Sequence, residues 1–350
     1  MTLSPRGGPG LEMNSVWSQR DSLWLGMGTA LAAALAYLIF AVWPDWLIDL
    51  LGRKKTFVNT LLNGLTLAGL YFLVASGFTL VFGLMRNVNL AHGSMYLLGA
   101  YIGYEAASAT GNWFFGAAVA FLAMAVAGAA LQVLVFRHMQ GDDLRQTLVT
   151  IGISIVAADL MLAIWTGTTY QFEPPAWLFG TVELPIISVI KSSGEAVMIK
   201  FPAYRLTVLG VAVAIGVALW MFLNRTHVGM MVRAGVDDRE MLAVSGVNVQ
   251  LVFALVFALG AGLAGFAGVI GGTALSIAPG EDVRYLLASL IVVIVGGMGS
   301  IPGAAVGALL IAMAEQFGLA YFPTYGVVLT FVIMIVVLAV KPQGLMGGSA

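Results

Sequence analysis

The sequence predicts an all-α fold: a polytopic helical membrane protein with about eight or nine transmembrane helices. Two observations carry that prediction. Of the 350 residues, 60% are hydrophobic and only 9% are charged, against roughly 25% charged in a soluble domain. The apolar residues also arrive in blocks of about 20, the length that crosses a bilayer. Composition excludes other classes. With 16 basic and 17 acidic residues the formal charge is −1, which leaves no electrostatic footprint for nucleic acid. Cysteine is absent, so disulfides, thiolate metal sites and cysteine nucleophiles are excluded.

Residues 1–22 are polar and mixed in charge, with Pro5 and several glycines, and read as a flexible N-terminal tail. The block at 24–43 is too long for a signal-peptide core and is followed by no small-residue cleavage site. It is expected to be a retained helix, so that 23–56 forms an extra N-terminal transmembrane helix and connector ahead of a membrane domain at 57–346. Further apolar blocks lie at 57–84, 90–108, 113–136, 147–166, 204–223, 250–272, 286–317 and 325–340. The stretch 286–317 is too long for one plain span. Gly296, Gly297, Gly299, Pro302 and Gly303 interrupt it, which predicts a broken segment near 293–308, tolerated only where protein or water receives the freed backbone groups.

Lys and Arg in short loops set the orientation. Loop 137–146 carries Arg137 and Arg145, and loop 224–249 carries Arg225, Arg233 and Arg239, which places both in the cytoplasm. Segment 167–203, with Glu173, Pro174, Pro175, Glu183 and Glu195, then falls outside and is expected to be an ordered surface loop or a short interfacial helix. Arg53, Lys54 and Lys55 resist this scheme, because they land outside if 24–43 and 57–84 each cross once. Either the first block does not span, or 57–108 is not two plain helices.

No Gly-x-x-x-x-Gly-Lys-Ser/Thr occurs, so the chain has no phosphate loop of its own, and any ATP is expected to be used by partner subunits. Gly260, Gly262 and Gly265 spell a dinucleotide-type pattern, but inside an apolar helix with no preceding strand or following acidic ribose ligand. Gly260, Ala264, Gly268 and Gly272 lie four apart on one face instead, a close-packing stripe. The three histidines, His92, His138 and His227, lack zinc-site spacing, and no metal site is expected. Gly152-Ile-Ser154 is followed by no glycine, and no histidine lies in the later apolar blocks, which argues against an intramembrane serine protease.

Three segments are candidates for function. In the first, 86–101, Asn89, His92 and Ser94 open a helical block, Asn89 is suited to capping it, and Gly93 permits close backbone approach. Its readings are a capped, tightly packed helix start or a substrate contact. In the second, 225–249, Asp237, Asp238 and Glu240 cluster where a helix can start. Met241, Leu242 and Val244 supply an apolar face, and Gly246 offers a stop. This predicts a short amphipathic cytoplasmic helix, either a partner-docking element or a solvated connector. The third is the broken stretch at 293–308, either a translocation element or a kink that accommodates neighbours. Ionisable residues within the blocks are Glu105, Asp159 and Glu315. Such groups are costly in lipid. Asp159, nearest the centre of its block, is a candidate for the pathway, with a hydrogen-bonded packing role as the alternative; Glu105 and Glu315 are read as possible helix-end markers.

Together these segments resemble the permease subunits of branched-chain amino acid ABC importers, the LivH-like half of that family. Asn89-Leu-Ala-His-Gly93 is similar to the family's Asn-Phe-Ala-His-Gly signature, with Leu90 in place of Phe, and Met95-Tyr-Leu-Leu-Gly-Ala-Tyr101 follows it. The run from Arg233 through Gly246 to Asn248 is similar to the cytoplasmic coupling loop. Gly296-Gly-Met-Gly-Ser-Ile-Pro-Gly-Ala304 and Lys341-Pro-Gln-Gly344 complete the pattern, which covers about 57–346. Glu240 and Gly246 keep the spacing of the importer Glu-Ala-Ala loop, but Met241 and Leu242 replace the alanines and no Leu-Pro follows.

The resemblance implies a binding-protein-dependent importer in the inner membrane, carrying branched-chain amino acids or related small polar solutes. It implies as partners a second homologous permease, two ATPase subunits that hydrolyse the ATP, a soluble substrate-binding protein and the lipid bilayer. It implies a coupling loop of Arg233, Asp237, Asp238, Arg239, Glu240 and Gly246. The candidate pathway residues are Asn89, His92, Gly93, Asp159, Gly296, Gly297, Gly299 and Pro302. The rival reading is an ion-gradient-driven transporter or channel that acts alone.

Overall fold

The computed structural model describes residues 54–85, 88–139, 141–190 and 196–347. The expected tail at 1–22 and the block at 24–43 lie outside the described residues, as do Arg53 and Glu195. In chain order the elements are α1 (Lys54–Met85), α2 (His92–Thr110), α3 (Trp113–Leu134), a 3-10 turn (Phe136–Met139), α4 (Asp143–Trp165), a second 3-10 turn (Ala176–Leu178), β1 (Thr181–Ile190) and β2 (Ala196–Pro202). After these come α5 (Ala203–Arg225), α6 (His227–Asp237), α7 (Arg239–Val244), α8 (Val249–Ala274), α9 (Glu281–Gly296), α10 (Ile301–Tyr321) and α11 (Gly326–Val340).

Polar side chains punctuate these apolar runs at the helix starts. Asn112 accepts from the backbone N–H groups of Phe114 and Phe115 at 3.0 and 3.2 Å. Asp142, Thr226 and Asn248 accept from Arg145, Gly229 and Leu251 in the same way. Each satisfies donors that the first helical turn leaves free. Gly111, at φ 67°, ends α2 in the left-handed conformation that glycine adopts without steric cost.

The chain divides into two compact units. The described part of the smaller unit, residues 54–58 and Glu183–Lys200, contains most of the paired strands β1 and β2. In it the Lys200 ammonium meets Glu183 at 3.0 Å, both largely exposed. This corrects the expected surface loop or interfacial helix for 167–203. The β-branched run at 186–190 favours an extended strand.

The larger unit, Asn59–Val182 and Phe201–Ala350, is built on α8 packed against α2 and α3. The small-residue stripe on α8 permits this. A Cβ at Gly260 would meet the Gly77 carbonyl and Val81 of α1, and one at Gly268 would meet the Tyr96 carbonyl and Ala100 of α2. Ala264, between them, is fully buried. Without a hydrophobic drive between helices in lipid, such close approach is what holds them together. α1 is buried along most of its length, whereas α4 and α5 turn most of their apolar surface outward.

Among the described residues six helices are long and apolar enough to cross a membrane: α1, α3, α4, α5, α8 and α10. The eight or nine expected from the apolar blocks include 24–43, which lies outside the described residues, and α2, α9 and α11, which fall short of that length and hydropathy. α9 and α11 have 16 and 15 residues, about 24 Å or less at 1.5 Å per residue and so shorter than a bilayer core. α2 is diluted by His92, Ser94, Glu105 and Ser108. The region 57–108 does form two helices, α1 and α2. That directs the question raised by Lys54 and Lys55 to the block at 24–43.

Candidate functional site

The segment around Asn89 folds into a densely packed corner. The Asn89 side chain accepts from the Ala91 N–H at 3.1 Å, one residue ahead of the helix it was expected to cap, while its Nδ2 has no partner among the described residues. His92 is buried, with Nε2 3.1 Å from the Val74 carbonyl oxygen and its ring edge-on to Phe78. Gly93 makes the expected close approach: a Cβ there would collide with the Asp282 carbonyl and with Leu286 of α9. Polar contacts tie this corner to α4. The Leu90 N–H donates to Thr150 Oγ1 at 3.2 Å, and the Ser94 and Ser154 hydroxyls lie 2.8 Å apart.

Asp159 is not brought to this corner. It lies on an exposed stretch of α4, about two turns before Trp165 on the same helix, whose indole donates to the Glu105 carboxylate of α2 at 3.0 Å.

The predicted break is real and its backbone groups are accounted for. α9 ends at Gly296, Gly297 and Gly299 take φ of 113° and 79°, and α10 begins at Ile301 with Pro302 in its first turn. Ser300 caps α10 by accepting from the Gly303 N–H at 3.1 Å. The carbonyls freed at the end of α9 face the C-terminal segment: Leu345 N–H donates to Val295 and Met346 N–H to Gly296, both at 2.8 Å. Gly344, itself at φ 80°, packs on Gly297, and a Cβ at Gly296 would strike the Gly303 carbonyl. The two glycine-rich motifs, far apart in sequence, are one structural knot.

Within 225–249 the expected amphipathic helix is two helices. Asp237 closes α6 instead of opening the next helix. Asp238 is the N-cap of α7, accepting from the Met241 N–H at 3.0 Å. α7 comprises Arg239–Val244, and Gly246 stops the turn at φ 81°. Leu242 is buried and faces Gly235 of α6, which in turn meets Leu84 of α1. Val232 of α6 joins Leu80 and Leu84 of α1 and Val252, Phe253 and Val256 of α8 in a second core. Met241 and Val244, 64% and 84% exposed, point away from it. Arg233 donates to Asn224 at 2.8 Å.

One cluster was missed by sequence reading. Glu315 is not a helix-end marker: only 12% exposed, it accepts from the Tyr71 hydroxyl at 2.6 Å and lies 3.7 Å from the Arg284 guanidinium. Arg284 also meets Glu281 at 3.4 Å and overlies the ring of Tyr285, which packs against Tyr96 at 4.2 Å between centroids. The signal was present in Glu315 as an intramembrane carboxylate; its partners on α1 and α9 lie 244 and 31 positions away, beyond any local pattern.

The chain matches the family described as "Branched-chain amino acid transport system / permease component" over residues 60–338. It is 28% identical over 306 residues to the high-affinity branched-chain amino acid transport system permease protein BraD of Pseudomonas aeruginosa. It is 28% identical over 307 residues to the LivH permease protein of Salmonella typhimurium and 29% over 308 residues to LivH of Escherichia coli K12. Each alignment covers 83% of this chain and 96% of the relative. No solved structure matches the chain.

Proposed function

The chain belongs to the family of branched-chain amino acid transport permease components, a multi-pass inner-membrane protein of an ABC transporter, and from that premise we propose how its parts divide the work. The chain carries the pathway and no ATPase site. A second permease, two ATPase subunits and a soluble binding protein complete the importer, whose cargo is branched-chain amino acids or related small polar solutes. No cofactor binds this chain.

The observation that carries this reading is the seat of α6 and α7. A short capped helix leaves Met241 and Val244 exposed while Leu242 anchors it, through Gly235, on Leu84 of α1. An ATPase that grips Met241 and Val244 would move the ends of α1 and α8 through the shared core. The coupling residues assigned to this segment are Arg233, Asp237, Asp238, Arg239, Glu240 and Gly246. Asn89, His92 and Gly93, with Gly296, Gly297, Gly299 and Pro302, supply tightly packed junctions about which α2, α9 and α10 would shift between outward-open and inward-open states. Asp159, exposed on α4, is assigned to a surface completed by the second permease, where a charge in the membrane finds polar company.

The test is to tag the chain, express it with its native neighbours, extract it in mild detergent and identify copurifying proteins by mass spectrometry. Two ATPases and a second permease are expected; a chain recovered alone would contradict the assembly.

A further inference from the structure

Two hollows of the larger unit lie on the same three helices, α1, α5 and α10. A polar cavity of about 260 Å3 is lined among others by Asn63 and Thr66 of α1, Arg205 of α5, Arg284 of α9 and Gln316 of α10. An apolar groove of about 490 Å3 has Ala68, Gly69 and Phe72 of α1, Val213 and Trp220 of α5 and Leu309 of α10 in its walls. On α5 and α10 the two linings follow end to end. Arg205 stands one turn before Leu209, the first groove residue of α5, and Gln316 two turns beyond Leu309.

The chemistry changes sharply along this seam. No charged side chain lines the groove, and Val213, Val217 and Trp220 on its α5 wall are about half exposed. The cavity is lined by two arginines and by the uncharged Asn63, Thr66 and Gln316, with no carboxylate among its lining residues. Arg284 is partly engaged by Glu281 and Glu315, at 3.4 and 3.7 Å. Arg205 donates through Nη1 to the neutral Asn63 amide at 2.6 Å and has no carboxylate within 4.0 Å among the described residues. Its guanidinium has five N–H donors, so it is the cation that lacks an anion. Depth in the bilayer fits the same division. The Ala203 N–H at the start of α5 donates to the Gly180 carbonyl, close in sequence to Trp177, which is 70% exposed, as is usual for tryptophan at a membrane–water interface. From Leu209 to Trp220 the groove then runs about 16 Å at 1.5 Å per residue, the depth of one leaflet in a hydrocarbon core of about 30 Å.

We propose that this seam seats a phospholipid, with its phosphodiester on Arg205, helped by Arg284, and one acyl chain in the groove. A planar guanidinium holds phosphate through two parallel hydrogen bonds, and an acyl chain matches an apolar groove one leaflet deep. A helix of a partner protein would cover the groove and leave Arg205 without an anion. A free phosphate would meet Arg205 and leave the groove unfilled. The lipid joins α5 to α1 and α10, and its seat depends on the membrane fold alone, whatever the chain transports.

The full chain is purified in mild detergent, stripped of lipid and titrated with phosphatidylglycerol, with bound lipid counted by native mass spectrometry and helicity followed by circular dichroism. One tightly held lipid per chain is expected. R205Q should weaken its binding about tenfold or more, the worth of a hydrogen bond to a charged group, and R205K, with the charge but not the planar fork, should recover only part of it. A305F alters an exposed position of α10 that lines the groove. It should fill the groove and weaken binding by a similar factor with helicity unchanged, and it carries the test if R205Q misfolds. Wild-type affinity in folded R205Q or in A305F overturns the site. Displacement of the lipid by an equal concentration of inorganic phosphate overturns it too, leaving an anion site alone. In native membranes a photoreactive residue at Val213 should crosslink to lipid; a crosslink to protein instead would show that a partner fills the groove and would overturn the lipid.

Discussion

Single residues decide how closely the helices of this permease meet. Gly93 is the sharpest case, because its Cα faces the Asp282 carbonyl of α9, and backbone cannot rotate out of the way as a side chain can. G93A should therefore lower the thermal unfolding midpoint in detergent, by an overpacking cost of about 1–3 kcal/mol, although alanine is the better helix former. An unchanged midpoint would show that α2 and α9 are not held this closely. The motif residues were legible in the sequence and their contacts were not. His92 stands out as a signature residue, yet nothing local says that its Nε2 meets the Val74 carbonyl 18 positions back. Glu315 was visible as a buried charge, whereas Tyr71 and Arg284 carry no periodicity that marks them as its partners. Long-range side-chain pairs are set by helix rotation and tilt, which a hydropathy pattern does not encode.

At the level of elements, the helix blocks were legible because apolar length and capping residues are local. The strand pair was missed because a Pro- and Glu-rich segment between apolar blocks resembles a loop until its β-branched residues find a partner strand. The break between α9 and α10 was predicted, but not its lock. The segment after Lys341-Pro-Gln-Gly344 caps α9 through Leu345 and Met346. A chain ending at Gln343 should have a lower thermal midpoint, since each orphaned buried carbonyl costs about 1–3 kcal/mol; a midpoint equal to that of the full chain would show that water serves those carbonyls equally well. The docking helix makes a separate prediction. M241D and V244D alter exposed positions and should leave the chain folded, with its midpoint intact, while the ATPases no longer copurify. G246A places a Cβ at φ 81°, a strain of about 1–2 kcal/mol, and should reduce transport and stimulated ATP hydrolysis without changing the binding protein's affinity for its solute. Full copurification with M241D and V244D, or normal transport by G246A, would contradict the assignment of α7.

For the molecule as a whole, α1 connects the two ends of the account. Near its end Leu80 and Leu84 receive α6, and earlier in the same helix Tyr71 holds Glu315 in the cluster with Arg284. Movement of the docked α6–α7 pair would thus reach the Glu315 cluster through one continuous helix, the kind of rigid element that carries coupling between distant sites. The central claim is that this chain is a path opened by the ATPases of its partners. The direct test is solute accumulation in vesicles containing this chain alone, with imposed proton or sodium gradients, compared with vesicles containing the full complex and ATP. No accumulation by the chain alone under either gradient, and ATP-dependent uptake by the complex, are expected. Gradient-driven accumulation by the solitary chain would contradict it.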